Sequence, residues 1–194
     1  MLLNGIHLLP DASGAVIWPA RQLLAMADPV AETDGRAASA VAAEAVRRLS
    51  SLTRQRRPRS IVWLGKPLPQ WQDQLPARER RDLQQLMNNH EIHWVTDQLV
   101  LAPLSFRVDP GPSGLKGGEV VARPNPLARC DGEVWPAFVI DGRRLALPAF
   151  GPRPVGTEVM TPAFLSAFRR PFQALMLVRG KVVTRPRGRL ETPP

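Results

Sequence analysis

One cysteine, three histidines and three lysines are all that the 194 residues hold of these types. The lone Cys130 excludes an internal disulfide and any cysteine-rich metal site, and reads as an ordinary partly buried thiol. No uninterrupted apolar run approaches the ~18 residues of a membrane-spanning helix, so none is expected. The opening MLLNGIHLLPDASG shows neither a basic leader nor a cleavage pattern, which points to a cytoplasmic protein. There is no Gly-x-Ser-x-Gly elbow, phosphate loop or dinucleotide fingerprint, so a serine hydrolase, a kinase and a dehydrogenase are without support. Of the histidines, His90 and His93 flank and enter a strand whose side chains alternate between faces, and they read as surface or turn residues rather than a two-histidine metal site. No internal repeat is present.

What the chain does have is enough apolar residue, 44%, for one domain. A domain near this size buries roughly 70% of its unfolded surface. Residues 1–184 are expected to form that domain, and the polar, proline-rich 185–194 to be a disordered basic tail. The net charge is +9, and of 26 basic residues only Lys66, Lys116 and Lys181 are lysines, leaving 23 arginines. Arginine forks suit phosphates. The same excess, beside abundant alanine and proline, also follows from GC-rich codon usage, so a basic nucleic-acid-binding module stands as an alternative to a plain basic surface.

The chain turns on Leu23 to Thr33, LLAMADPVAET, a buried strand pattern ending on Asp28 and broken at Pro29. A carboxylate at the C-terminal end of such a strand lies where open α/β sheets place their chemistry. Ile6 to Pro10 and Ala15 to Trp18 precede it as a hairpin. Val41, Ala45, Leu49 and Leu52 make one helical stripe over Arg36 to Gln55, and Arg54, Arg56, Arg57 and Arg59 gather at its C-terminal end. There the helix dipole favours cations, so a solvated helix end is the plain reading and contact with a phosphate backbone the alternative. Ser60 to Leu64 is a second buried strand. The strand-helix-strand connection puts Asp28 and Lys66 on one edge of a parallel sheet. A helix over Pro76 to Met87 follows, then strands at Glu91 to Thr96, Leu104 to Val108 and Glu119 to Ala122. A hairpin turns at Asp141-Gly142 between Val134 to Ile140 and Arg143 to Leu147. One helical turn at Phe164 to Phe168 and a last hairpin about Arg179-Gly180 complete the pattern. PGPSGLKGG and ARPNPLARCDGE read as loops.

This order, with Trp18-Pro19, Ala27-Asp28, Leu64-Gly65, GEVVA at Gly118 to Ala122 and RRLALPAFG at Arg143 to Gly151, resembles the calcineurin-like metallophosphoesterase family. Within it the likeness is to the bacterial phosphoesterases associated with an ATP-dependent DNA ligase and the DNA damage response. The resemblance runs from about Leu8 to Thr184. It implies an α/β fold, a four-layer α-β-β-α sandwich of two mixed sheets. It also implies a hydrolase holding two divalent metals, such as manganese or zinc, on Asp, His and Asn.

The family's ligand motifs are altered here. Asp-x-His becomes Asp28-Pro29-Val30, Gly-Asp becomes Gly65-Lys66, and WVTDQ offers only Asp97 where Gly-Asn-His-Asp is due. Val108 stands at the lone histidine, and Ala122, Arg123, Pro124 and Asn125 replace Gly-His-x-His. A remnant pocket of Asp28, Lys66, Asp97, Val108, Arg123 and Asn125 is therefore expected, with Asp28 the one surviving metal-ligand position and no cofactor bound. Lys66 and Arg123, with Arg107, offer fixed cations for a phosphate in place of metals. Alternatively Arg123 pairs with Asp28 and seals the pocket. The expected protein is a non-catalytic phosphoesterase relative that binds DNA or a DNA-repair protein. Its rival is a phosphodiesterase or endonuclease with a site rebuilt from Asp28, Asp97, Asp109 or a partner's residues.

Overall fold

The computed structural model describes residues 1–29, 35–112, 117–151, 155–168 and 170–193. Strands β1 (Leu2–Leu3) and β2 (Ile6–His7) form a small ribbon. Next come β3 (Leu9–Pro10), β4 (Val16–Trp18), β5 (Leu23–Ala27), helix α1 (Gly35–Arg56), β6 (Ser60–Leu64), helix α2 (Ala77–Asn89) and β7 (Glu91–Val95). Strands β3 to β7 lie side by side in chain order as a five-stranded sheet. The β3–β4–β5 part is antiparallel and β5–β6–β7 is parallel.

The second half supplies β8 (Gln98–Leu101), β9 (Leu104–Arg107), β10 (Gly118–Val121), β11 (Pro126–Cys130), β12 (Glu133–Ile140), β13 (Arg144–Ala146), β14 (Thr157–Glu158), helix α3 (Pro162–Ala167), β15 (Gln173–Val178) and β16 (Lys181–Pro186). These strands form a nine-stranded mixed sheet, in which β9, β10 and β13 run parallel.

The alternation of side chains along each strand decides what packs on what. Leu23, Ala25, Ala27, Val62 and Leu64 point to a core shared with Leu104, Phe106, Val120, Phe138 and Leu145 of the other sheet. Their neighbours Leu24, Met26, Ile61 and Trp63 point the opposite way, onto Ala42, Ala45, Val46, Leu49 and Leu52 of α1 and Leu83 and Leu86 of α2. Each such large side chain withdrawn from water contributes about 1.5–3 kcal/mol. The outer face of the nine-stranded sheet is covered more lightly, by Phe164 and Phe168 of the six-residue α3 and by Phe172.

Two expectations from the sequence are corrected, and one strand is added. ARPNPLARC is not a loop throughout, because Pro126–Cys130 pairs antiparallel with β12 and buries Pro126, Ala128 and Cys130 in alternation. Gln98–Leu101, to which the sequence reading assigns no element, is an edge strand paired with β9. Residues 185–193 are not a detached tail. β16 extends to Pro186, Leu190 is buried in the third core, the Arg187 guanidinium lies 5.4 Å from the Phe172 ring centroid, and the Glu191 amide donates to the Arg129 carbonyl at 3.0 Å. One leucine and one cation–π contact thus hold a stretch whose composition alone reads as disordered. The part of the Pro110 to Gly118 loop at 113–116 and the Pro152-Arg153-Pro154 segment lie outside the described residues.

Candidate functional site: the joined strand ends

The C-terminal ends of the two parallel strand groups face the same way, since Ala27 of β5 and Ala149, beyond β13, form a parallel bridge. Main-chain hydrogen bonds continue this junction into a circuit. Phe150 donates to the Ala27 carbonyl at 2.9 Å, Asp28 to Leu64 at 2.8 Å and Gly65 to Val95 at 2.9 Å. Two residues past Val95, the Asp97 carbonyl accepts from Val108 at 3.0 Å; Val108 accepts from Arg123 at 2.8 Å, and Val121 from Leu147 at 2.9 Å. The chain from Leu147 to Phe150 closes the loop. Asp28, Lys66, Asp97, Val108 and Arg123 all stand on or beside this circuit, which is where the sequence reading puts its remnant pocket.

Asp28 is 4% exposed, and its Oδ2 accepts the Lys66 amide at 2.9 Å. The approach is close because residue 65 is glycine. A Cβ there would lie 2.5 Å from the Asp28 Cβ, and Gly65 has φ +118°, a conformation that other residues rarely adopt. The Trp63 indole donates to the Lys66 carbonyl at 2.9 Å and fixes the turn from behind. Lys66 therefore meets Asp28 through its backbone, and its ammonium is in no ion pair among the described residues. On the other side, Gly151 sits against Pro29, and its carbonyl accepts from Arg48 of α1 at 2.9 Å.

The rest of the circuit is chemically mixed. Val108 is 5% exposed and offers only methyl groups. Asp97 is exposed. Arg123 does not seal Asp28 as the alternative reading has it. Its guanidinium lies 3.5 Å from both Asp109 carboxylate oxygens. The reason is topological: Asp109 follows β9, the direct neighbour of β10, whereas Asp28 belongs to the other sheet. Arg123, Asn125 and Asp109 line one cleft of about 450 Å³ with Thr157, Ala163 and Ala167. Asn125 is 9% exposed, has φ +51°, and its Nδ2 finds no partner among the described residues. Thr157 and the α3 wall of this cleft were not legible in sequence, because the β11–β14 pairing that brings them there is only two residues long.

His90 and His93 do not meet. The His90 Nδ1 faces the Pro58 carbonyl at 3.0 Å, and the His93 Nε2 faces Glu91 at 3.4 Å.

Among the described residues, the donor set does not fit two divalent metals. Such ions need several oxygen and imidazole donors converging at about 2.0–2.6 Å. Among the described residues, the positions around the circuit offer one buried carboxylate, the exposed Asp97, a lysine, a valine and an arginine, and cations there oppose a bound cation.

The fold so defined is a mixed α/β fold with two large sheets whose parallel strands end at a common junction. Among solved structures, the chain is similar to the crystal structure of Pseudomonas putida nuclease MPE, with a TM-score of 0.66 and 23% identity, over 94% of this chain and 98% of that one. No family model and no curated protein matches the sequence.

Proposed function

We propose that this protein is a non-hydrolysing relative of the calcineurin-like phosphoesterases, with their four-layer α-β-β-α architecture, which binds nucleic acid in a DNA-repair setting. The observation that supports the reading is the strand-end circuit, which gathers Asp28, Lys66, Val108 and Arg123 at one junction, the last three being residues that the sequence resemblance sets at ligand positions. The nuclease neighbour supports nucleic acid over a protein as the partner. The ligase-associated setting rests on the sequence resemblance alone. In this reading Lys66 and Arg123 meet phosphate oxygens as fixed cations, without metal-activated water. Among the described residues, the Arg123 guanidinium is held by the exposed Asp109, and it exchanges that contact for the phosphate.

Fluorescence anisotropy with a labelled oligonucleotide tests the reading. Lys66→Ala combined with Arg123→Ala should weaken binding at least tenfold at low salt, with no strand cleavage by either protein in manganese. Unchanged affinity would remove these residues from the site, and cleavage lost in Asp28→Asn would restore the enzyme reading.

A further inference from the structure

The edge of the five-stranded sheet opposite the circuit is the most arginine-dense part of the chain. Four of the six residues from Arg54 to Arg59 are arginines, spanning the last turn of α1 and the approach to β6. Because β5, β6 and β7 are parallel, Gln22, Arg59 and His90 mark the edge where these strands begin, while Asp28 and Lys66 mark where they end. The two positive regions are thus separated by the length of the sheet.

On this edge Arg56 is engaged, donating to Asp11 at 2.6 Å. Arg54, Arg57 and Arg59 are exposed, and among the described residues none is in an ion pair or a side-chain hydrogen bond. The backbone sets how they are displayed. Arg57 has φ +47°, its amide donates to the Thr53 carbonyl at 2.8 Å, and Arg59 donates to the Gln22 carbonyl at 2.7 Å, so the turn is fixed while its guanidinium groups are not. Arg59 also lines a cleft of about 590 Å³ with Arg21, Gln22, Ser60 and His93. Arg21 is itself anchored, donating to the Ala102 carbonyl at 2.8 Å and lying 4.8 Å from the Trp18 ring centroid.

We propose that this edge is a second nucleic-acid surface, on which Arg54, Arg57 and Arg59 hold phosphates of a duplex backbone and Arg21 extends the track. The helix dipole alone accounts for cations at the end of α1, but not for the two that lie beyond it. A protein partner would call for an apolar centre with aromatic anchors. Among the described residues, the large exposed hydrophobics are Leu2, Leu9 and Val100, none of which lines this cleft. Guanidinium groups without carboxylate partners, on a fixed turn, match the phosphate contacts that position a protein on DNA without reading its sequence. The proposal shares the nucleic-acid partner proposed above but not its residues.

The test is anisotropy with a labelled 20-base-pair DNA duplex across a salt series. It compares the native protein, Arg54→Gln/Arg57→Gln/Arg59→Gln, Lys66→Ala/Arg123→Ala, and a control, Arg143→Gln/Arg179→Gln/Arg189→Gln, that removes three unpaired arginines of the second half of the chain. Each phosphate contact contributes about 0.9 to the slope of log K against log salt. The Arg54/Arg57/Arg59 variant should lose roughly 2–3 from that slope and at least tenfold in affinity, with its melting temperature kept, while the control changes by less than threefold. An equal loss in the control would mean that net charge and not this edge binds DNA, and would overturn the proposal, as would unchanged affinity in the Arg54/Arg57/Arg59 variant. Loss in that variant with none in Lys66→Ala/Arg123→Ala would support this surface and remove the strand-end reading.

Discussion

Gly65 and Asp28 form the tightest side-chain approach in the circuit, and they define its most sensitive residue. Gly65→Ala adds a methyl group 2.5 Å from the Asp28 Cβ at a φ of +118°. Backbone strain of this kind costs about 1–3 kcal/mol, and displacing a buried, hydrogen-bonded carboxylate adds to it. Differential scanning calorimetry should show a melting temperature lower by at least roughly 4 °C, on a scale of about 2–4 °C per kcal/mol for a chain this long. A change of under one degree would mean that the turn carrying Lys66 yields freely. The glycine was legible in the sequence as half of a Gly-Asp-like pair, but its packing reason was not, because that depends on Asp28 arriving from another strand.

At the scale of elements, α1 and α2 are joined by Arg47 and Glu79, whose side chains meet at 2.7 Å. The Arg47 hydrogen bond holds the Glu79 carboxyl below the ordinary carboxylate range. Likewise Arg129 holds Glu158 down where β11 meets β14. A folded-state pKa below the unfolded value means that this stabilisation is complete above the ordinary glutamate value of about 4.3 and is lost as pH falls through the lowered one. Melting temperature should therefore drop on acidification below about pH 4, and Glu79→Gln should flatten that drop while lowering stability at pH 7. An unchanged acid profile in the variant would exclude the pair as a contributor. Both helices were legible from apolar spacing, since Ala45, Leu49 and Leu52 bury as the stripe requires. β11 was not, because Pro126 and Arg129 disguise an alternation that the pairing with β12 enforces. Short strands take their conformation from partners distant in sequence, and a local pattern holds little of that information.

For the whole molecule, the two parallel strand groups are brought to one junction by the Ala27–Ala149 bridge, and Asp28, Lys66, Val108 and Arg123 gather there. The sequence placed Asp28 and Lys66 on a shared edge through the strand-helix-strand rule, and the structure agrees. It did not foresee the partner of Arg123, because Asp109 and Arg123 meet through the β9–β10 pairing and not through nearness in the chain. In the proposed reading, the circuit carries groups that repel or ignore metal where a phosphoesterase would hold ligands. The most direct measurement is a calorimetric titration of manganese into chelator-stripped protein, with Asp28→Asn alongside. The account predicts no binding at micromolar concentrations in either protein. Stoichiometric micromolar binding that disappears in Asp28→Asn would contradict it.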